Sequence, residues 1–569
     1  MNNEFLLIQG SIFTPTSQTS TSYSWHSELL IHNNHIIAIG RKGSLADYYD
    51  FDFSLIPTIK IPNRFLILPG FIDCHIHPIA GSLQKMNCAL QKKDTWAQAS
   101  KYLITFIENN PNYPWIFASG YEDSWFDPYK NKSPLELLDE LGVKKPITIT
   151  RFDGHSFWCN SLAILQAGID ENMKDPIGGI IGKCKNNGKF NGLFHDESMK
   201  LIRKAFPKLT SERLNEAYEK ISHKMIRKGI TCFADASTKE WYYETYLNSM
   251  KEKNTSSKPQ PIVYLSWKDF KMNEWSSLPA NEKMAILDKV KENAKLSKLK
   301  ADTIKLFIDG VIESTSAALK SPYLSSNGKN HGLLHYKDKE IKEILEFSNR
   351  YKFNMHYHVV GDQAFLQIVS MIEENNKKSR ENLKIKHTLA HVQLVDEQDL
   401  SILPKNIALC FSPLWCYKDF CYSATIKELG LKRCQNLYPI KYFNPDKNFI
   451  GFGSDWPVSS MNPFKGIEVA VTRLVLGEKT DAKEAFCPEH KVKLEEAVRF
   501  YTLGAAGICG EVKRGSLEVG QIADLIVVDQ NIFELGKGEL GKIHETKVVL
   551  TILRGKIVYN KMGSFFDFF

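Results

Sequence analysis

The sequence has no CxxC pair, and its eleven cysteines fall into no regular framework. That argues against a disulfide scaffold and for thiols held reduced in cores. No run of about 18 apolar residues exists, so no membrane span is expected. The opening MNNEFLLIQGSIFTP lacks a basic segment followed by a long apolar core, so it does not read as a secretion signal. The net charge of +8 is spread over 569 residues, and no basic tract is dense enough to argue for nucleic acid. There is no repeat of solenoid period and no low-complexity tract. Hydrophobic residues make up 43%, which excludes global disorder. These absences leave a soluble cytoplasmic protein with room for more than one domain.

What is present begins with LPGFIDCHIHP, Leu68 to Pro78. A short apolar run ends in two histidines one residue apart. Read as a strand, it puts Asp73, His75 and His77 on one face and Ile72, Cys74 and Ile76 on the other. Two imidazoles at one strand end, roughly 6.5 Å apart in Cα spacing, can share one metal ion.

The middle of the chain alternates strand and helix signals. Gly229–Ala236, Pro261–Ser266, Thr303–Gly310, Phe353–His358, Lys386–Gln393, Ile407–Pro413 and Asn448–Pro457 follow the opening strand. Helical patterns such as Asp338–Arg350 and Ala364–Asn376 lie between them. Eight such units predict an α/β fold, a (β/α)₈ TIM barrel with its chemistry at the C-terminal strand ends. About 150 residues separate the first two units, too many for an ordinary connection. They predict an inserted α+β lobe after the first strand. Both ends of the chain are rich in β-branched residues with turn glycines: Phe5–Thr14, the hairpin Ser27–Ile39, Gly515–Asp529 and Val548–Asn560. They predict a small β-sandwich built from both termini. The expected boundaries are 1–67 for its N-terminal part, 68–82 for the first barrel strand, 83–206 for the lobe, 207–512 for the rest of the barrel and 513–569 for the C-terminal part of the sandwich.

Metal-type residues recur at the ends of different predicted strands: His75 and His77, Lys305, His358, His391 and Asp455. A closed barrel brings those ends to one axis. Four histidines, a lysine and an aspartate at one level are poorly explained by packing, because each would need its own partner after desolvation. Imidazoles with a carboxylate and no thiolate suit a catalytic divalent ion, zinc before iron, manganese or nickel.

These stretches resemble the amidohydrolase superfamily, and within it the amidohydrolase-3 (YtcJ-like) branch that includes N-substituted formamide deformylases. PGFIDCHIHP is similar to the superfamily's first-strand metal motif. GYED (Gly120 to Asp123) and FDGHSFWCNSLAI (Phe152 to Ile164) resemble the branch's insertion motifs. KLFIDGVIES, HVVGDQA, AHVQL and GFGSDWPV follow in family order, and GSLEVGQIADLIVVD resembles the C-terminal sandwich signature. The resemblance implies that His75 and His77 hold one metal ion and that His358 and His391 hold a second or shared one. It implies Asp455 as the catalytic position, and Lys305 as a bridging ligand after N-carboxylation. An unmodified lysine paired with Asp309 and a single metal is the alternative. His356 shares a face with His358, but the following Gly-Asp makes His358 the better match; His387 competes less strongly with His391 for the same reason.

The expected function is metal-dependent hydrolysis of a non-peptide C–N bond, in an N-substituted amide or formamide, with Asp455 as general base and acid. The alternatives are cyclic amides, amidines or esters, or a barrel that binds a small ligand without catalysis. Tyr121, Trp125, His155, Asp309, Trp415 and Trp456 are the expected substrate contacts: the aromatic side chains suit an apolar substituent, and His155 and Asp309 suit polar substrate groups. The terminal run Ser564–Phe569 (SFFDFF) is expected to dock on the sandwich or on a second copy, which makes a homodimer a candidate assembly.

Overall fold

The computed structural model describes residues 5–562, apart from 20, 48, 50–51, 92, 153–154, 253–256, 272–274, 419 and 478–484. The aromatic tail Ser564–Phe569 lies outside the described residues, as do Asp153 and Gly154 of the FDGH stretch. The chain forms two compact units, Met1–Pro78 with Tyr218–Phe569, and Ile79–Ala217.

The first unit is built on eight strands: β1 (Phe71–Ile76), β2 (Ile230–Thr238), β3 (Gln260–Ser266), β4 (Lys300–Phe307), β5 (Asn354–Val359), β6 (His387–His391), β7 (Ile407–Phe411) and β8 (Phe449–Phe452). Each pairs in parallel with the next, in chain order. Their residues are almost wholly buried, as apolar runs in parallel sheets must be. Helices Glu240–Lys251, Ala280–Leu296, Asp338–Tyr351 and Asp362–Lys378 make the crossovers from β2 to β6. A 3-10 helix, Glu397–Ile402, lies between β6 and β7. The sheet curls so that its two ends meet past their C-termini. There the Asp455 N–H donates to the His75 carbonyl at 2.7 Å, and the His77 N–H to the Trp456 carbonyl at 2.9 Å. This is a TIM-barrel-like fold.

Small and thiol side chains fill one buried cluster of the barrel. Ile72, Cys74, Cys232, Ala234, Ala390, Cys410 and Cys509 pack there with Tyr264. Cys74 and Cys410 meet as free thiols, Sγ to Sγ 3.5 Å.

Strands from both termini share one further eight-stranded sheet. Phe5–Pro15 lies between Tyr23–His32 and Leu66–Pro69, and Leu66–Pro69 pairs antiparallel with Leu525–Val528. Val548–Leu553 and Lys556–Asn560 follow. Asn33, at the predicted hairpin turn, takes the left-handed φ of 57° that such a tight turn needs. The second unit holds a six-stranded sheet, with Trp96, Tyr121, Trp125 and Trp158 in its core. Residues 83–206, the predicted lobe, lie inside the unit Ile79–Ala217.

Gly70 is the joint between the terminal sheet and β1. Its N–H donates to the Asp524 carbonyl at 2.9 Å, and the next residue, Phe71, donates to the Gly229 carbonyl at 2.9 Å. A Cβ at Gly70 would sit 2.3 Å from both Cγ2 and Oγ1 of Thr231, a buried, β-branched side chain with little freedom to turn. Gly70→Ala should therefore lower the unfolding free energy by about 1–3 kcal/mol, read by urea denaturation. Adding Thr231→Ala to the same chain should recover part of that loss.

Candidate metal centre

β1 packs Ile72 and Cys74 into a buried cluster, ties Asp73 to the seam with β8 and brings the His75 ring against His356 of β5 and His391 of β6. The Asp73 carboxylate accepts the Ser454 N–H at 2.9 Å and the His75 N–H at 3.3 Å, so it ties the two strand ends together. Burial pushes its pKa up to about 7. Gly453 packs directly on His75.

Four of the predicted residues come together at this seam. Asp455 Oδ1 lies 3.1 Å from His77 Nε2 and 3.5 Å from His75 Nε2. One potential ligand atom from each of His75, His391 and Asp455 falls within 4.8 Å of the other two. The His391 ring lies 4.9 Å from His75 and 4.6 Å from His358, centroid to centroid. The indole of Trp415 stacks on His391 at 4.9 Å and 7°. His391 and Asp455 both take left-handed backbone, φ 75° and 50°. Such conformations cost about 1–3 kcal/mol each in non-glycine residues and persist only where the surroundings impose them. Here they aim two side chains into the same space.

The donor set fits a divalent metal ion. His75, His391, Lys305 and Asp455 are all buried. Lys305 Nζ, His391 Nδ1 and Asp455 Oδ1 find no hydrogen-bond partner among the described residues. Burial holds the pKa of His75 well below the ordinary imidazole value, and the charge of Lys305 adds to this. His391 is lowered likewise, by burial and then by His358, and His358 itself falls to about 4. Neutral rings with free lone pairs are the form that binds metal. Burial also lowers Lys305 to about 8, against the pull of Asp455.

Other predicted residues go elsewhere. β4 ends at Phe307, so Asp309 is not on the strand face with Lys305. Its carboxylate instead accepts three backbone N–H groups, from Val360 at 3.0 Å, Gly361 at 2.8 Å and Ala318 at 3.0 Å. This corrects the pairing of Lys305 with Asp309: those amides occupy the carboxylate. His387 is buried and bonds the Tyr357 hydroxyl through Nδ1 at 3.0 Å. His358 Nε2 faces the Gly310 carbonyl at 3.0 Å. Trp456 is buried, with Lys224 Nζ 5.2 Å above its ring. In the second unit, Tyr121 packs on Trp158 at 5.7 Å and Trp125 faces Trp96 at 6.5 Å, both within that unit's own core. His155 there is exposed and pairs with Asp196 at 3.2 Å.

The sequence reading passed over Asp235. It is buried in β2, three residues short of the strand's end, accepts the Tyr246 hydroxyl at 2.9 Å, and burial raises its carboxyl above the usual range. Its signal was available in GITCFADA, an aspartate at the C-terminal end of a predicted barrel strand.

The closeness of Gly453 to His75 gives a direct check. A Cβ at Gly453 would fall 2.5 Å from His75 Cβ and 2.7 Å from its backbone nitrogen. Gly453→Ala should displace His75 and weaken divalent-metal binding by roughly 10-fold or more, the range seen when a ligand's support is lost. Chelator competition reads the affinity, and circular dichroism checks that the fold remains.

Residues 65–559 match the model of the amidohydrolase family Amidohydro_3. The chain is 27% identical over 511 residues to YtcJ of Bacillus subtilis (strain 168), spanning 88% of this chain and 90% of that protein. It is 23% identical over 511 residues to the N-substituted formamide deformylase of Arthrobacter pascens, spanning 88% and 89%. Its fold is similar to the crystal structure of a metal-dependent hydrolase from Pyrococcus horikoshii OT3, with a TM-score of 0.71 and 18% identity over 94% of this chain and 99% of that one. A match over most of the chain, on a barrel whose seam gathers imidazoles and a carboxylate, leads to one conclusion: the chain belongs to the amidohydrolase family, metal-dependent hydrolases of carbon–nitrogen bonds.

Proposed function

We propose that this enzyme hydrolyses the C–N bond of an N-substituted amide or formamide, with zinc as the metal and Asp455 as the proton carrier. The observation that carries the reading is Asp455 Oδ1: a buried carboxylate oxygen, without a hydrogen-bond donor among the described residues, within 3.1 and 3.5 Å of two imidazole nitrogens. The likeness to a formamide deformylase supports the substrate class.

His75, His77, His391 and Lys305 would hold the ion, and His358 could join them only through Nδ1, because its Nε2 faces the Gly310 carbonyl. Zinc suits this set, and when bound it supplies a Lewis acid for the scissile carbonyl and makes nearby water more acidic. Asp455 then accepts a proton from the attacking water and delivers it to the departing amine, so the amine leaves neutral. Lys305 would serve as a carbamate. Its Nζ is buried and unpartnered, so an ammonium there is costly. Reaction of the amine with CO₂ forms an N–C bond, releases one proton and leaves an anionic oxygen donor. Metal retention that rises with added bicarbonate would support that modification.

Beside the centre lies a cavity of about 520 Å³, within the usual range for small-molecule sites. Trp415, Leu414, Tyr422, Leu437 and Phe486 line it, and Trp415 also carries the stack on His391. This cavity suits the apolar substituent on nitrogen.

Asp455→Asn should cut kcat by about 10²–10⁴-fold on any accepted substrate, with an unchanged melting temperature. Near-normal turnover would remove Asp455 from the reaction. A panel of N-benzyl and N-alkyl formamides, acyl amides and cyclic amides, assayed with zinc present, tests the substrate class. Faster hydrolysis of the N-benzyl formamide in the native chain, with KM raised in Trp415→Ala, is the expected outcome. A preference for cyclic amides would redirect the assignment.

A further inference from the structure

We propose that His356 is a positioning residue for the metal centre: it accepts the Nδ1 proton of His75 and so fixes which nitrogen of His75 faces the ion. The proposal rests on the reading of His75 as a ligand.

His356 and His358 share one face of β5 yet do different things. His358 reaches the Gly310 carbonyl and packs edge-on against His391. His356 Nε2 lies 2.9 Å from His75 Nδ1. Both rings of that pair are buried, His356 fully. The Tyr264 ring covers His356 at 4.7 Å and 32°, which restricts its rotation. The other nitrogen of His356, Nδ1, has no hydrogen-bond partner among the described residues. Among the described residues, His75 is therefore the one hydrogen-bond target of the His356 ring.

The proton count decides the direction. Two imidazole nitrogens 2.9 Å apart share one proton between them. The other nitrogen of His75, Nε2, is the one that lies near Asp455 Oδ1. A ligand nitrogen must offer its lone pair, so in a neutral ring the proton of His75 sits on Nδ1. His75 is then the donor, His356 Nε2 the acceptor, and His356 carries its own proton on Nδ1. A bond of this kind fixes the tautomer and orientation of a ligand ring and raises its basicity. Carboxylates and backbone carbonyls are the usual acceptors; here a second imidazole takes that place.

The test is zinc affinity by chelator competition on the full chain. His356→Asn, too short to reach His75, should weaken zinc binding by about 10–100-fold. His356→Gln, whose amide oxygen can reach Nδ1, should recover most of the loss. The visible absorption bands of the cobalt-substituted protein should keep the same positions and intensities in both variants, because no ligand is removed. Native affinity in His356→Asn overturns the proposal, and so do changed cobalt bands in His356→Gln, which would make His356 a ligand. His75→Ala separates the two readings: normal zinc binding in that variant refutes the ligand assignment of His75 and the proposal with it, whereas weakened binding there alongside native affinity in His356→Asn refutes only the role of His356. Melting temperatures of the metal-free variants exclude misfolding as the cause of a loss.

Discussion

Two backbone hydrogen bonds at the barrel seam hold the rest in place. Asp455 donates to the carbonyl of His75, and His77 donates to the carbonyl of Trp456. They join chain segments some 380 positions apart, and the residues that make them also present the centre's side chains. Asp73 reinforces the join by accepting from both Ser454 and His75. Gly453 lets the strands come close enough for it to form. The strained φ of Asp455 and His391 is maintained because the packed seam and barrel allow no relaxed alternative. Geometry, not flexibility, sets the spacing of the donors.

That spacing has an electrostatic consequence. Several imidazoles and a lysine crowd around one carboxylate in a place with little water. Without a compensating ion, such a group could not carry its ordinary charges, and the depressed pKa values of His75, His391, His358 and Lys305 express this. The same desolvation that makes the cluster costly to fold leaves its lone pairs available. Stability and chemistry thus draw on one feature in opposite directions, as is common where a barrel builds a site at its strand ends.

The sequence was legible where a local pattern had one physical solution. An HxH on an apolar strand, a Gly-Asp after His358 and a Ser-Asp before Trp456 could be placed from alternation and order. It was less legible where function depended on where a strand stops. Alternation from Lys305 through Phe307 runs on to Asp309, but the strand ends at Phe307 and the carboxylate bonds the amides of Val360, Gly361 and Ala318. Tyr121 and Trp125 illustrate the same limit for aromatics, because a large ring reads alike in sequence whether it lines a cavity or fills a core.

By itself, the sequence determined the alternation of strand and helix, the barrel it implies and the residue types available at each strand end. These follow from periodicity, which is a property of neighbours along the chain. Only the tertiary structure decided that His356 turns to His75, that His358 turns to Gly310 and that His387 pairs with Tyr357. Residues i and i+2 on a strand share a face, but their partners come from other strands. Which partner each one meets depends on barrel curvature and register, which no local pattern encodes.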